Sequence, residues 1–346
     1  MFGGNGVIGY TSTALIAGER IVIGRVGSCG SVHFIDSPVW VTDNALYSKA
    51  VGPHVVPSYL ARLLEYLDLS RLRNKGAQPL ITQSSILRLE VDIPPSGEQL
   101  KIDEVLSVCA DAGRQLERLT EAKRRFKRGL VQELLTGKRR FKEFEGREWR
   151  QVRIGDLFEE VSRPVSWDDE TSYELLSIRR RSGGVFLRSV TKGSTIKTKA
   201  LFGVRAGDFL ISKMQVVHGA LGIVRPEFEG KHVSGSYVVL HNKRPDVLRT
   251  ELFDYVSRLP QTYRLALLAS YGVHIEKMTF NLPWFLRSRI RIPAALEEQD
   301  RIVAVLDAMD REIVLLARLN DALDRQRKGV ADLLLTGKVR VPELQT

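Results

Sequence analysis

Between positions 302 and 334 the core-type positions recur in alternating steps of four and three. They are Ile302, Leu306, Met309, Ile313 and Leu316, then Asn320, Leu323, Arg327, Val330 and Leu334. A mean step of 3.5 residues keeps one seam turned toward a partner helix, which is the mark of a coiled coil. The same spacing runs through Ile102, Leu106, Cys109, Gly113, Leu116, Thr120, Lys123, Lys127, Leu130 and Leu134. This copy is poorer in its middle, where Val105, Leu119 and Phe126 are expected to widen the apolar face. Both seams carry a polar residue at one equivalent position, Thr120 and Asn320, which would set register. Shorter apolar runs predict strands at 21–23, 32–35, 209–211 and 221–224, and helical spacing marks 59–69 and 253–268. Residues 1–92 read as mostly β, and 150–291 look similar in style.

The two seams belong to one repeat. Aligned without gaps, 98–140 and 298–340 share seventeen identities in forty-three positions. Glu98-Gln99 returns as Glu298-Gln299, and Leu134-Leu135-Thr136-Gly137-Lys138 returns as Leu334-Leu335-Thr336-Gly337-Lys338. Each copy follows a proline, Ile93-Pro94-Pro95 and Ile292-Pro293, and Gly137 and Gly337 are natural helix stops. A helix of about forty residues at ~1.5 Å per residue is roughly 60 Å long. Two such helices, paired antiparallel, predict a rod with a non-repetitive head at each end. Duplex DNA repeats about every 34–36 Å, so a rigid spacer would fix which two major-groove segments are read together. The expected fold is α+β: two mixed α/β heads joined by two long helices in an antiparallel coiled coil, pseudo-twofold. The expected boundaries are 1–95 for the first head, 96–142 for the first helix, 148–292 for the second head and 293–341 for the second helix.

Composition sharpens this picture. The chain has 346 residues, 43% hydrophobic and 27% charged, with a net charge of +11. That size bounds it to two domains or more, and the basic balance points to a polyanion, most often nucleic acid. The excess is localised. Residues 150–291 hold 23 Lys and Arg against 14 Asp and Glu, a net +9, whereas 1–97 are only +1 and 298–340 are neutral. Two cysteines, Cys29 and Cys109, supply neither a metal site nor a disulfide framework, which fits a reducing cytoplasm. No apolar run reaches membrane-spanning length and no signal-peptide pattern opens the chain, so no membrane association is expected.

Several motifs compete for a catalytic reading. Phe2-Gly3-Gly4-Asn5-Gly6 has the F-x-G-x-G form of a methyltransferase cofactor loop, and Asn281-Leu282-Pro283-Trp284 is one residue from N-P-P-W. Together they raise the alternative of an adenine-specific DNA methyltransferase. A cofactor loop should follow a buried parallel strand and open a helix, however, and neither context surrounds residues 2–6. Thr136-Gly137-Lys138 lacks the upstream glycine of a P-loop, and Arg139 stands where a magnesium-binding hydroxyl belongs. Glu229-Gly230-Lys231 has no suitably spaced acidic partner. The six histidines offer no ligand spacing, so neither a metal nor a cofactor is expected. A further alternative is a coiled-coil assembly scaffold that binds without reading sequence.

For DNA contact the candidates lie in loops. Arg179, Arg180 and Arg181, followed by Gly183-Gly184, form the most basic short run of the second head, and Arg188, Lys192, Lys197 and Lys199 continue its sign. Arginine makes bidentate bonds to guanine or neutralises phosphate. Lys213, Gln215 and His218 occupy a polar loop after a strand, where Gln reads adenine and Lys reads guanine. Ser236 and Tyr271 sit in small flexible loops able to approach a duplex. In the first head the corresponding candidates are Arg25, Ser28 and Ser31. Each of these also fits a solvated loop or ordinary turn chemistry.

The repeated Ile-Pro, Glu-Gln and Leu-Leu-Thr-Gly-Lys pattern resembles the specificity subunit of type I restriction–modification systems. Residues 148–157, Glu-Trp-Arg-Gln-Val-Arg-Ile-Gly-Asp-Leu, look like the opening of that family's target-recognition domains. Residues 18–30 and 207–213 look like the middle of such domains. The resemblance implies a subunit that is not itself catalytic. It implies that each head reads one half of a bipartite double-stranded DNA site across a non-specific spacer. It also implies two modification subunits that methylate adenine using S-adenosylmethionine, and restriction subunits that translocate and cleave DNA. One departure stands out. About 58 residues separate Trp149 from Gly207, but only 17 precede Gly18, and the first head carries no Trp-x-x-x-x-x-Gly-Asp opening. Either the first head is shortened or its true start lies upstream, and the second head is expected to carry most of the sequence reading.

Overall fold

The computed structural model describes residues 1–27, 29–74, 79–197, 199–272 and 278–341. The chain forms two compact units, Met1–Glu121 with Leu315–Thr346 and Ala122–Val314. Each head thus comes with part of both long helices, a grouping different from a head-by-head division at 95 and 292.

In the first unit, β1 (Phe2–Gly3) and β2 (Gly6–Val7) form a hairpin. An antiparallel sheet has β3 (Arg20–Gly24) between β4 (Val32–Ile35) and β5 (Ala45–Tyr47). Against it lie α1 (Pro57–Tyr66) and α2 (Gln83–Leu87), with Ile21, Ile23, Ala61, Leu64, Leu69 and Ile81 as the shared core. Helices supply as much of this core as strands do, so the mostly-β expectation for 1–92 was too narrow. Leu60 and Leu64 of α1 pack with Ile21 and Ile23 of the sheet, whereas Tyr59 and Leu63 pack with Ile102, Leu106, Leu334 and Leu335 of the long helices. The long helix α3 (Ser96–Leu134) follows.

The second unit opens with β6 (Trp149–Arg153), one turn of helix α4 (Ile154–Leu157) and β7 (Phe158–Glu160). Then come β8 (Ser172–Ile178), β9 (Val185–Lys192), β10 (Leu201–Gly203), β11 (Phe209–Ser212), β12 (Leu221–Ile223), β13 (His232–Ser234) and β14 (Tyr237–Asn242). They form two four-stranded sheets, in the orders β10-β13-β8-β9 and β12-β11-β14-β7. After them come α5 (Thr250–Ser257), α6 (Pro260–Leu268), β15 (Ser270–Tyr271), β16 (Thr279–Phe280), α7 (Leu282–Arg287), β17 (Arg289–Pro293) and the long helix α8 (Leu296–Leu335). The expected single helix at 253–268 is two, because Pro260 cannot continue a helix but suits the first turn of a new one.

Every residue of both seams is buried or half-buried. In the first unit Glu98 near the start of α3 binds Arg340 beyond the end of α8. In the second, Lys123 binds Glu312 at 2.7 Å, Lys127 binds Asp310, and Arg140 binds Glu298 at 2.6 Å. Numbers rise on one helix as they fall on the other, so the pairing is antiparallel within each unit. Two seam expectations need correction. Val105, Leu119 and Phe126 are exposed rather than part of the packed face. Thr120 is buried, but its hydroxyl donates to the Leu116 carbonyl of its own helix at 2.8 Å instead of reaching across the seam.

The repeated residues do the same work in both units. Gln99 and Gln299 are fully buried. Gln99 accepts the Val56 N–H at 2.8 Å and donates to the His54 and Pro94 carbonyls at 2.8 and 2.7 Å. Gln299 accepts the Arg249 N–H at 2.8 Å and donates to the Val247 and Pro293 carbonyls, both at 2.9 Å. Val56 and Arg249 are the residues that open α1 and α5, so each glutamine latches a long helix to a head helix. Each neighbouring glutamate holds an arginine three residues past the glycine stop of the other long helix: Glu98 holds Arg340 and Glu298 holds Arg140. Gly137 and Gly337 adopt φ of +73° and +70°, the left-handed conformation that ends the helix.

Candidate nucleic-acid interface

In the second unit three polar loops meet. The turn between β8 and β9, residues 179–184, puts Arg181 and Ser182 at φ of +56° and Gly184 at +77°. Two non-glycine residues in the left-handed region are costly, and the turn is held there from outside. The Arg181 N–H donates to the His218 carbonyl at 2.6 Å and the Ser182 N–H to the Gly219 carbonyl at 2.9 Å. The segment 213–219 after β11 is thereby tied to the arginine turn. It is tied also to the turn at 235–236: the Lys213 N–H donates to the Ser236 carbonyl and its ammonium to the Gly235 carbonyl, each at 2.9 Å. A third bond, from the Phe280 N–H to the Lys213 carbonyl at 3.3 Å, joins the β15–β16 ribbon that carries Tyr271.

Arg179, Arg180, Arg181, Lys213, Gln215, His218, Ser236 and Tyr271 are therefore brought to one surface. Arg179, Arg180, Arg181, Ser236 and Tyr271 are exposed there. The Arg179 guanidinium lies 4.1 Å over the Phe186 ring, a cation–π contact that orients it without using its hydrogen-bond donors. The Lys213 ammonium spends one of three donors on Gly235 and keeps two for a ligand. Gln215 is half-buried, and its amide oxygen is enclosed without a hydrogen-bond partner. A bidentate contact to adenine requires that oxygen to turn outward. The pattern missed Met214, which is 57% exposed between Lys213 and Gln215. Its position in the same loop was the available signal, since an apolar side chain there suits a thymine methyl.

Other candidates fall elsewhere. Arg188 and Lys192 lie along β9, and Lys192 sits seven residues past Val185, roughly 23 Å along a strand rising ~3.3 Å per residue. Lys192 pairs with Glu170 at 2.7 Å, and Lys199 pairs with Asp169 at 3.0 Å beside the Trp167 ring. These lysines belong to the far end of the hairpin, not to the arginine turn. In the first unit Arg25 is half-buried, with its N–H donating to the Asn44 carbonyl at 2.9 Å. The Ser31 hydroxyl donates to the Gly4 carbonyl at 2.6 Å, so it fastens the hairpin beneath it. Ser28 lies outside the described residues.

A second cationic surface escaped the sequence reading. On the ribbon of β17 and β6, Arg289 stands directly opposite Arg153, and Arg291 stands opposite Gln151, all exposed. Like charges across a ladder repel unless an anion lies between them. The alternation Arg287, Arg289, Arg291 was the signal.

The catalytic motifs resolve into local structure. Phe2-Gly3-Gly4-Asn5-Gly6 is the β1–β2 hairpin, not a strand-to-helix loop. Asn281 caps α7, its side chain accepting the Trp284 N–H at 3.0 Å, so Asn-Leu-Pro-Trp is a helix start. Among the described residues no group of three or more His, Cys, Asp or Glu converges as metal ligands. No described helix is long and apolar enough to cross a membrane. Burial lowers the pKa of His33 and His232 below the usual imidazole value.

Residues 3–122 match the sequence profile of the family described as "Type I restriction modification DNA specificity domain". A stretch of 106 residues is 29% identical to the EcoprrI type I restriction enzyme specificity subunit of Escherichia coli. That stretch spans 30% of this chain and 26% of that protein. Among solved structures, the S subunit of a type I restriction–modification system from M. genitalium shares the fold, with a TM-score of 0.65 and 14% identity over 97% of this chain and 87% of that one. The HsdS subunit of Thermoanaerobacter tengcongensis aligns at a TM-score of 0.47 and 18% identity over 95% of this chain and 84% of that one.

Proposed function

We propose that this chain, which carries a type I restriction–modification DNA specificity domain in residues 3–122, is the subunit that reads a bipartite DNA site for a methylating and cleaving complex. The observation that carries the reading is the junction of three loops in the second unit, at 179–184, 213–219 and 235–236, in the region whose net charge is +9. Phosphate neutralisation supplies affinity there, and Lys213 with Gln215 supplies base discrimination. The long helices that run from one unit into the other are the spacer between half-sites. The chain alone transfers no methyl group and cuts no strand. Two modification subunits dock on outward helix faces, where Leu119, Phe126, Leu315 and Leu319 are exposed, and restriction subunits join them.

DNA binding tests this directly. Replacing Arg179, Arg180 and Arg181 with alanine weakens binding to every sequence and flattens the dependence of affinity on salt, by up to about 0.9 in slope for each phosphate no longer neutralised. Replacing Lys213 or Gln215 instead relaxes one base position, by about 1–3 kcal/mol if the contact is bidentate. Removing one heptad from each long helix at facing positions shortens the spacer by ~10 Å and changes the accepted separation of half-sites. Unchanged binding and salt slope in the triple alanine variant contradicts the interface.

A further inference from the structure

The ribbon of β6 and β17 has two unlike faces, because alternate residues of a strand point to opposite sides. Val152, Ile290 and Ile292 turn inward and join the core of the second unit. Gln151, Arg153, Arg289 and Arg291 turn outward and are exposed. The register sets Arg289 directly across from Arg153, and Arg291 across from Gln151. Arg287, exposed at the end of α7, stands two residues before Arg289.

Several arginines of this unit are paired: Arg140 meets Glu298, Arg163 meets Asp208, Arg249 meets Asp300 and Arg258 meets Asp254. Among the described residues, Arg153, Arg287, Arg289 and Arg291 make no ion pair. The Arg291 guanidinium lies 5.6 Å over the Trp149 ring, which orients it without using its hydrogen-bond donors. Unpaired cations held in register on one face suit an anion that carries several charges.

The face is also close to the junction of the three loops. Phe280, whose N–H binds the Lys213 carbonyl, is followed by Asn281, the six residues of α7, Ser288 and Arg289. Two extended steps, this short helix and two further steps bound the distance from Phe280 to Arg289 at roughly 22 Å. One turn of duplex DNA is about 34–36 Å. A duplex seated on the loops can therefore reach the ribbon within one turn.

We propose that the outward face of the β6–β17 ribbon is a second phosphate-binding site, which holds the DNA backbone beside the half-site that the loops read. It rests on the DNA-reading function proposed above. Alternate residues of a strand stand ~6.7 Å apart, about two of the ~3.4 Å steps between phosphates on one DNA strand. Arg289 and Arg291 thus take separate phosphates, and Arg153 joins Arg289 on the first. The ribbon adds affinity and fixes orientation but carries no base preference, because phosphate contacts hold no sequence information.

The test measures binding of the full chain to a duplex recovered from a random pool, over a series of salt concentrations, with phosphate-ethylation interference on the same duplex. Changing Arg153→Gln, Arg289→Gln and Arg291→Gln together removes three exposed charges and leaves the apolar face of the ribbon intact. The salt slope is expected to fall by up to about 0.9 for each of the three. Sites reselected with this variant are expected to keep the same bases. Interference is expected to disappear at phosphates other than those lost when Arg179, Arg180 and Arg181 become alanine. The corresponding triple change to lysine keeps the charges and is expected to keep most of the slope, which a mere loss of folding would not allow. An unchanged slope and interference pattern in the glutamine variant, while the arginine-turn variant loses both, overturns the ribbon site and leaves the reading surface standing. No binding of any duplex by the unaltered chain overturns both. Slower amide exchange at 149–153 and 289–293 with polyglutamate but not with the duplex makes the ligand an acidic polypeptide, and also overturns the proposal.

Discussion

The two units are alike where the helices meet the heads and differ in how much sheet and how many polar loops each head carries. Both use a buried glutamine, a glutamate–arginine clamp and a left-handed glycine stop. The first head then builds one three-stranded sheet and a hairpin, whereas the second builds two four-stranded sheets and gathers its polar loops on one surface. Net charge follows the same division, +1 over residues 1–97 against +9 over 150–291. The difference teaches that the repeated residues are frame and the unrepeated ones are surface. A polar side chain repeated at a fixed offset is one that the frame needs, such as Gln99 and Gln299. A polar side chain without a repeat, such as the exposed Arg181, is not one that this frame needs.

The strongest way to break that comparison is to unlatch one unit at a time. Gln299→Leu leaves an N–H and two carbonyls without partners, at about 1–3 kcal/mol each, and is expected to cost ~3–9 kcal/mol. Gln99→Leu should cost a similar amount in the first unit. Chemical denaturation with hydrogen exchange locates each loss, and grossly unequal costs would show that the two latches are not equivalent. A smaller effect separates the units instead of equating them. Trp149→Ala removes a half-buried indole packed on Gly137 and should cost about 2–3 kcal/mol in the second unit only. Exchange at 289–293 should accelerate while 90–94 stay unchanged.

The smallest effect concerns pH. Hydrogen bonding to Arg340 holds the Glu98 carboxyl below the usual carboxylate range. A depressed folded value means the contribution is complete above the ordinary range, about 4.3, and is lost as the pH falls through the folded value. Glu98→Gln should therefore flatten the acid side of the first unit's stability profile. An unaltered profile would mean that the clamp does not couple to folding.

Much of this was legible in the sequence. The 3.5-residue step located both seams because a buried stripe requires it, and the paired Glu-Gln and Thr-Gly-Lys marked the ends of the repeat. What the pattern could not give was the partner of each polar residue. Ser31 is spoken for by Gly4, 27 positions away, and Gln215 has its amide oxygen turned inward. Lys192 is close to Arg181 in sequence but at the opposite end of a strand. Val105, Leu119 and Phe126 were read as core because an apolar side chain carries no label for which face it occupies. Nor could the sequence place the arginine turn on the 213–219 loop, since backbone hydrogen bonds leave no residue signature.

The central claim is that the second unit does most of the base reading. Selection of bound sites from a randomised duplex pool, with the full chain and the modification subunits proposed for it, tests it most directly. The account predicts one sharply defined half-site, whose definition weakens at a single position in Lys213→Ala and survives substitution of Arg25 and Ser31. Two equally well-defined half-sites, or a half-site lost on changing Arg25 and Ser31 but not Lys213, would contradict it.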